Sequence, residues 1–235
     1  MLLIFGFAPA VFGCTMNKDF DEAKEVLAVQ FQYSYSANGE LLAYSEYEFD
    51  SRGKLIKFSS YNANEELSGY SELERDSKGN TTKASHYHAN GDFYITEIEY
   101  DSEGNETKAY FYDNANDELS SYTEYEYDSN GNKTKLREYA ANGELLDYCE
   151  YEYDSNGNWT KLGFYNADGE LSFRIECEYD SNGYWTKSSQ YNTNGELFGY
   201  DELEYDSNGN VKKMSDYDAN GELYSYTVYL YSELK

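Results

Sequence analysis

The chain has 235 residues, among them 29 Tyr and 12 Phe against 2 Trp and 3 Met, so the surface it can bury is largely phenolic. Such rings keep a hydroxyl end that tolerates water. Lys and Arg number 18 and Asp and Glu 45, a net charge of -27; that balance repels phosphate backbones and anionic membrane surfaces and argues against nucleic acid as a partner.

Residues 1–13 are uncharged and mostly apolar and lead into Val11-Phe12-Gly13-Cys14. An aliphatic residue at −3 and a small one at −1 before a cysteine resemble the bacterial lipobox. The resemblance implies a lipoprotein-type signal peptide over 1–13, with Cys14 as the lipidated residue. Thirteen apolar residues are too few to span a bilayer, which takes about 20, so the membrane is reached only through the lipid. An ordinary cleaved signal and a secreted protein are the alternative. Residues 14–27 are a linker or a short helix capped by Asp19 or Asp21.

From residue 28 to 235 one unit of 26 residues recurs. Its first turn motif is Asp-Ser followed by a Gly-containing pair, running from Asp50-Ser51 to Asp206-Ser207 in seven copies. Its second is Asn-Gly-Glu-Leu or a close variant, in eight copies from Asn38 to Asn220, each 26 residues after the last. Asn-Gly between β-patterned runs is a strong hairpin signal, because both residues tolerate the positive φ of a type I′ turn. Between turns, runs such as Tyr151-Glu152-Tyr153 alternate with period two. The only proline is Pro9, so nothing interrupts the ladders. Fifteen turns predict 16 strands in an antiparallel meander, an all-β chain of tandem hairpins.

Placing a two-residue loop at each Asn-Gly makes opposing residues around Asn156-Gly157 sum to 313, so that Glu152 faces Lys161. The same arithmetic pairs Glu48 with Lys57, Glu74 with Lys83, Glu99 with Lys108, Glu126 with Lys135, Glu178 with Lys187 and Glu204 with Lys213. Turn centres alternate 12 and 14 residues apart. Residue x then lies two strands from x+24, a stagger of two residues per hairpin that coils the sheet. Open sheets of more than about 10 strands curl or split, so the expected form is a coiled single-layer sheet or spiral shell. Neither face is apolar enough for the outer band of a membrane barrel.

Tyr-Glu-Tyr-Asp-Ser-Asn-Gly-Asn, followed about seven residues later by Tyr, resembles the YD repeats of Rhs-type proteins. That resemblance covers roughly 28–235 and implies β-hairpins wound into a hollow spiral in a cell-surface setting.

Asp154-Ser155-Asn156-Gly157-Asn158 has the start of a calcium loop, but glycine falls at loop position 4 rather than 6, and position 12 is Tyr165 rather than a bidentate Glu. Turn chemistry accounts for the motif. His86 and His88 share a face, yet no third metal ligand is evident, and a surface pair is expected. Acidic residues recur in register with the repeat, whereas a catalytic carboxylate pair would occupy a unique, partly buried place. No catalytic residue and no cofactor is therefore expected. Cys149 and Cys177 sit on strands separated by an intervening strand and are expected to remain thiols.

Trp159 and Trp185 occupy equivalent positions of adjacent units, where Leu55, Thr81, Glu106, Lys133 and Val211 stand elsewhere. Alternation puts Tyr165 and Tyr191 on the same face. The four form a stacking platform for sugar rings, or else the indoles simply pack across strands beside a turn. The sequence thus points to a non-enzymatic protein, exported and lipid-anchored at the bacterial cell envelope. It would present an acidic, Tyr-rich β-surface for adhesion or for a ligand such as a glycan or a basic protein. A carbohydrate-binding module built on the Trp pair is the second reading.

Overall fold

The structure, a computed structural model, describes residues 27–113 and 118–233. The signal at 1–13, Cys14 and the segment up to residue 26 lie outside the described residues. In chain order the strands are β1 (Leu27–Ser36), β2 (Leu41–Phe49), β3 (Leu55–Asn62), β4 (Leu67–Arg75), β5 (Thr81–His88), β6 (Phe93–Tyr100), β7 (Glu106–Asp113) and β8 (Glu118–Tyr127). They continue as β9 (Lys133–Ala140), β10 (Leu145–Tyr153), β11 (Trp159–Asn166), β12 (Leu171–Tyr179), β13 (Trp185–Asn192), β14 (Leu197–Tyr205), β15 (Val211–Asp218) and β16 (Leu223–Glu233). Each pairs antiparallel with its chain neighbours, and β16 pairs with β1. The all-β meander is as expected. The open coiled sheet and the spiral shell are not: the sheet closes into a barrel.

The stagger explains the closure. Glu48 pairs with Lys57 and Lys57 with Glu72, 24 residues on (72 minus 48) where the repeat is 26. Each hairpin therefore steps two residues along the strands. Eight hairpins return a path around the barrel to β1 displaced by about 16 residues, one per strand, and such a shear goes with strands tilted by roughly 35–45°. The coil that the stagger imposes thus completes one turn, and β16 meets β1 edge to edge. At this seam the outward pairs are Phe31 with Leu230, Tyr33 with Val228 and Tyr35 with Tyr226. Apolar and aromatic contacts, such as the Tyr35–Tyr226 stack at 5.1 Å, replace the charge pairs found elsewhere.

All seven expected Glu-Lys pairs are Cα partners, from Glu48–Lys57 to Glu204–Lys213. The turns that set them differ in type from the expectation. Gly157 N–H donates to the Asp154 carbonyl at 3.2 Å, and Asp154 N–H to the Asn158 carbonyl at 2.8 Å. Gly157 has φ 84°, whereas no asparagine among the described residues has positive φ. The loop is a type I turn closed by a glycine bulge rather than type I′. Below the bulge the register shifts by one, pairing Tyr153 with Trp159. At Glu65 a glutamate takes the left-handed position, with φ 63°.

Most residues of the Tyr-Asp turn unit have a bond to make. Asp154 Oδ1 accepts from the backbone N–H groups of Asn156 (2.8 Å) and Asn158 (2.9 Å), while Oδ2 accepts from Asn158 Nδ2 at 3.0 Å. The Asn158 side-chain bond, then its backbone bond, holds the Asp154 carboxyl below its ordinary pKa. Between hairpins, the β9–β10 ladder ends at Lys135–Glu150. The Tyr153 hydroxyl donates at 2.8 Å to the Lys133 carbonyl beyond that end. Tyr100, Tyr179, Tyr205 and Tyr231 do the same for Thr81, Trp159, Trp185 and Val211. Arg75 replaces the phenol by a guanidinium on the Leu55 carbonyl at 3.0 Å. Each such bond contributes about 1 kcal/mol net.

Candidate functional site in the barrel lumen

The two faces of the barrel carry different chemistry. Outside, Lys57, Lys83, Lys108, Lys135, Lys161, Lys187 and Lys213 each stand between glutamates of both neighbouring strands, apart from Lys213, whose far neighbour is Val228. Stacked tyrosines alternate with them, as in Tyr148–Tyr165 at 4.9 Å and Tyr200–Tyr217 at 4.8 Å. Lys135 and Lys187 lie over the Tyr148 and Tyr200 rings, each 4.0 Å from the centroid. A shallow outer depression of about 390 Å³ around Gly163 is lined by charges that already pair with one another. This wall is unsuited to hydrocarbon, where each lysine at mid-depth would cost about 2–4 kcal/mol.

The inner face carries Ser71, Ala84, Thr96, Ala109, Thr123, Cys149, Cys177 and Met214, all buried by neighbouring side chains. Among the described residues no large side chain is fully buried, although the inward Tyr229 keeps only 9% of its surface exposed. Sixteen strands leave a bore at this size.

One inner belt consists of the cross-strand pairs Ser45–Ser60, Ser71–His86, Thr96–Phe111, Thr123–Glu138, Cys149–Phe164, Ile175–Gln190, Asp201–Asp216 and Ser34–Thr227. These positions are equivalent in the repeat, yet no two pairs are alike. Ser188 donates to Asp201 Oδ2 at 2.8 Å, and Ser225 donates to Asp216. Burial, and after it the Asp216 charge, pushes Asp201 up to about 6. Glu138 and Asp147 face each other on β9 and β10; burial, then Asp147, raises Glu138. These are the unique, partly buried carboxylate pairs that the repeat seemed not to offer. Their signal was in the sequence, as acids at inward positions where other units hold Ser, Thr or Phe.

His86 is not a surface residue. It is half-buried inside, with Nδ1 2.7 Å from the Ser71 hydroxyl and its ring 4.3 Å from Tyr94. Desolvation, then His88, lowers it to about 4, so it is neutral at pH 7. Cys149 and Cys177 carry no disulfide; β11 lies between their strands. Burial, then Asp147 and Glu138, pushes the Cys149 thiol up to about 12.

The expected platform of Trp159, Trp185, Tyr165 and Tyr191 divides between the faces. The bulge adds one residue between Lys161 and Trp159, which breaks the alternation and turns both indoles inward. Their centroids are 6.4 Å apart at 51°. Tyr165 and Tyr191 remain outside, Tyr165 against Tyr148 and Tyr191 under the Arg174 guanidinium at 4.5 Å. Beside the indoles along the same inner rim stand Lys133 and Glu106, paired at 3.3 Å, with Lys133 Nζ 4.1 Å from the centroid of the inward Tyr125 ring. Burial, and after it Glu106, raises the phenols of Tyr125 and Tyr127.

No family model and no curated protein matches the sequence. Solved structures do. A porin-like protein from Bacteroides uniformis is similar over 87% of this chain and 98% of its own, with 11% identity and a TM-score of 0.58. A porin-like protein from Bacteroides vulgatus is similar over the same shares, with 12% identity and a TM-score of 0.51. At such identities the likeness is one of fold, a closed antiparallel barrel.

Proposed function

We propose that this is a non-enzymatic, exported binding protein whose ligand enters the barrel lumen. One observation carries the reading: the repeat holds the outer wall nearly constant while giving each of the eight pairs of one inner belt a different composition. A recognition site needs a unique constellation, and the inner face supplies it. Export rests on Val11, Gly13 and Cys14. Mass spectrometry of native protein should find Cys14 as a lipidated N-terminus, and an intact Met1 would refute the anchor. The bonding of the Tyr-Asp turn unit supports its kinship with YD repeats, here wound into a ring.

The lumen reading is tested with single cysteines in a Cys14→Ser, Cys149→Ser, Cys177→Ser background. Phe164→Cys points inward and Tyr165→Cys outward. Small maleimides should label both, and bulky polyethylene-glycol maleimides only the outer one. A panel of soluble glycans and basic peptides is then scored by thermal shift. A stabilisation that vanishes on inner but not outer labelling supports the reading. An inner cysteine closed to every reagent would refute it. The acidic, Tyr-rich wall, at net -27, favours a second reading, adhesion to a basic protein; a basic-peptide shift abolished only by outer labelling would select that one.

A further inference from the structure

We infer that the arc formed by Glu106, Lys133, Trp159 and Trp185 on the inner rim at the Asp-Ser end is a subsite for a chain of β-linked hexopyranose units. The inference rests on the lumen reading and names its ligand class.

The four residues are the 106, 133, 159 and 185 members of one repeat position, on β7, β9, β11 and β13. They are therefore neighbours along the rim. At this position the unit holds Leu55, Thr81 or Val211 elsewhere, so folding does not require an indole or a charge. The two indoles meet at 51° rather than stacking, so neither ring lies flat on the face of the other. The Trp185 ring N–H is held at 2.9 Å by the Lys187 carbonyl, and that bond fixes the plane without occupying the face. A pyranose with equatorial substituents has an apolar C–H face that stacks on an indole, and a rim of hydroxyls around it. Lys133 and Glu106, side by side at 3.3 Å, offer a donor and an acceptor to those hydroxyls, and the phenols of Tyr125 and Tyr127 flank them. Nucleotide bases would also stack, but their phosphates meet the chain's strong negative charge. A flat apolar ligand would leave the Glu106–Lys133 pair unused and desolvated. A neutral sugar chain fits both halves of the arc.

Both tryptophans of the chain lie in this arc, so tryptophan emission reports on the site alone. The full chain is titrated with cellohexaose and with chitohexaose, following emission and heat of binding. The expected result is a saturable emission change with at least one of them. Trp159→Val and Trp185→Val, which install the residue found at position 211, should each weaken binding by about tenfold or more. Glu106→Gln should weaken it several-fold, and Glu152→Gln, on the outer wall against Lys161, should leave it unchanged. Acrylamide quenching separates the two ways of failing. If acrylamide reaches the indoles and neither hexaose changes emission or heat, the sugar subsite is overturned and the hollow lumen stands. If acrylamide cannot reach them, both fall. Binding that survives both Trp substitutions in folded protein, as judged by unchanged circular dichroism, also overturns the subsite.

Discussion

The outer and inner walls of this barrel are built from the same residues of the same repeat, one position apart, yet they obey different constraints. The outer wall is a periodic lattice in which the strand lysines meet glutamate and most tyrosines meet an aromatic or cationic neighbour; the register is fixed by many weak contacts, each worth about 0.2–1 kcal/mol. The inner wall is a set of local fits that differ from unit to unit. Periodicity can therefore specify the cylinder while leaving its interior free to vary, and copying a residue from one repeat into another should be harmless outside and costly inside.

Gly69 gives the strongest test of that contrast. It stands on the inner face of β4 at the position that Asp147 holds on β10, yet a Cβ at Gly69 would lie 2.6 Å from the Tyr87 carbonyl oxygen. Gly69→Asp should cost about 2 kcal/mol, since backbone rather than a flexible side chain must give way. Urea unfolding checks this, and a change under 0.5 kcal/mol would show that inner positions are interchangeable after all.

The inner carboxylate pair comes next. Asp201 has its folded pKa raised to about 6 by burial and by Asp216. The fold therefore binds a proton that the unfolded chain releases, and stability falls as pH rises from about 4 to about 6, with the full penalty above. Asp201→Asn should remove that fall and stabilise the protein at pH 7 by on the order of 1–2 kcal/mol. The turn aspartates work in the opposite sense. Side-chain and backbone bonds from Asn158 lower Asp154, so its contribution is present at neutral pH and is lost only as pH falls below the ordinary carboxylate value. Melting curves across pH 3–8 separate the two; a wild-type curve flat between about 4 and 6 would mean that Asp201 is better hydrated than its neighbours suggest.

Tyr179→Phe keeps the ring and removes one hydroxyl, leaving the Trp159 carbonyl without its 2.9 Å donor. Phe49 already occupies the equivalent position, so the ring fits and the cost should be about 1 kcal/mol. The smallest effect is expected outside. Tyr44→Arg copies Arg174 from the equivalent position of another unit, whose guanidinium lies over Tyr191; with Tyr61 opposite in the same way, the change should stay within about 0.5 kcal/mol.

The same contrast decides what could be read from the chain alone. Strand number, strand order and the Glu-Lys register follow from turn spacing and period-two alternation, and the stagger was legible as well. Closure was harder, because it depends on how far the stagger accumulates over the whole sheet. Its trace lies in Phe31, Tyr33, Val228 and Leu230, which depart from the charge pattern only on the two strands that meet. The Trp pair stands out in the sequence, but alternation alone places it with Tyr165 and Tyr191, because one bulge residue reverses the alternation beneath it. The Asp201–Asp216 pair was hidden by abundance: among 45 acids, two inward ones are visible only after the faces have been separated.

The stagger has a genetic corollary. Each repeat adds two strands and also two residues of shear, so the two quantities grow in step whatever the number of units. Strand tilt is then independent of copy number, while diameter rises roughly in proportion to it. A gene that gained or lost one 26-residue unit by unequal crossing-over would encode a cylinder of the same pitch and a different gauge, provided that the two seam strands were kept at its ends. The width of the bore is thus a heritable count rather than a property of any single residue.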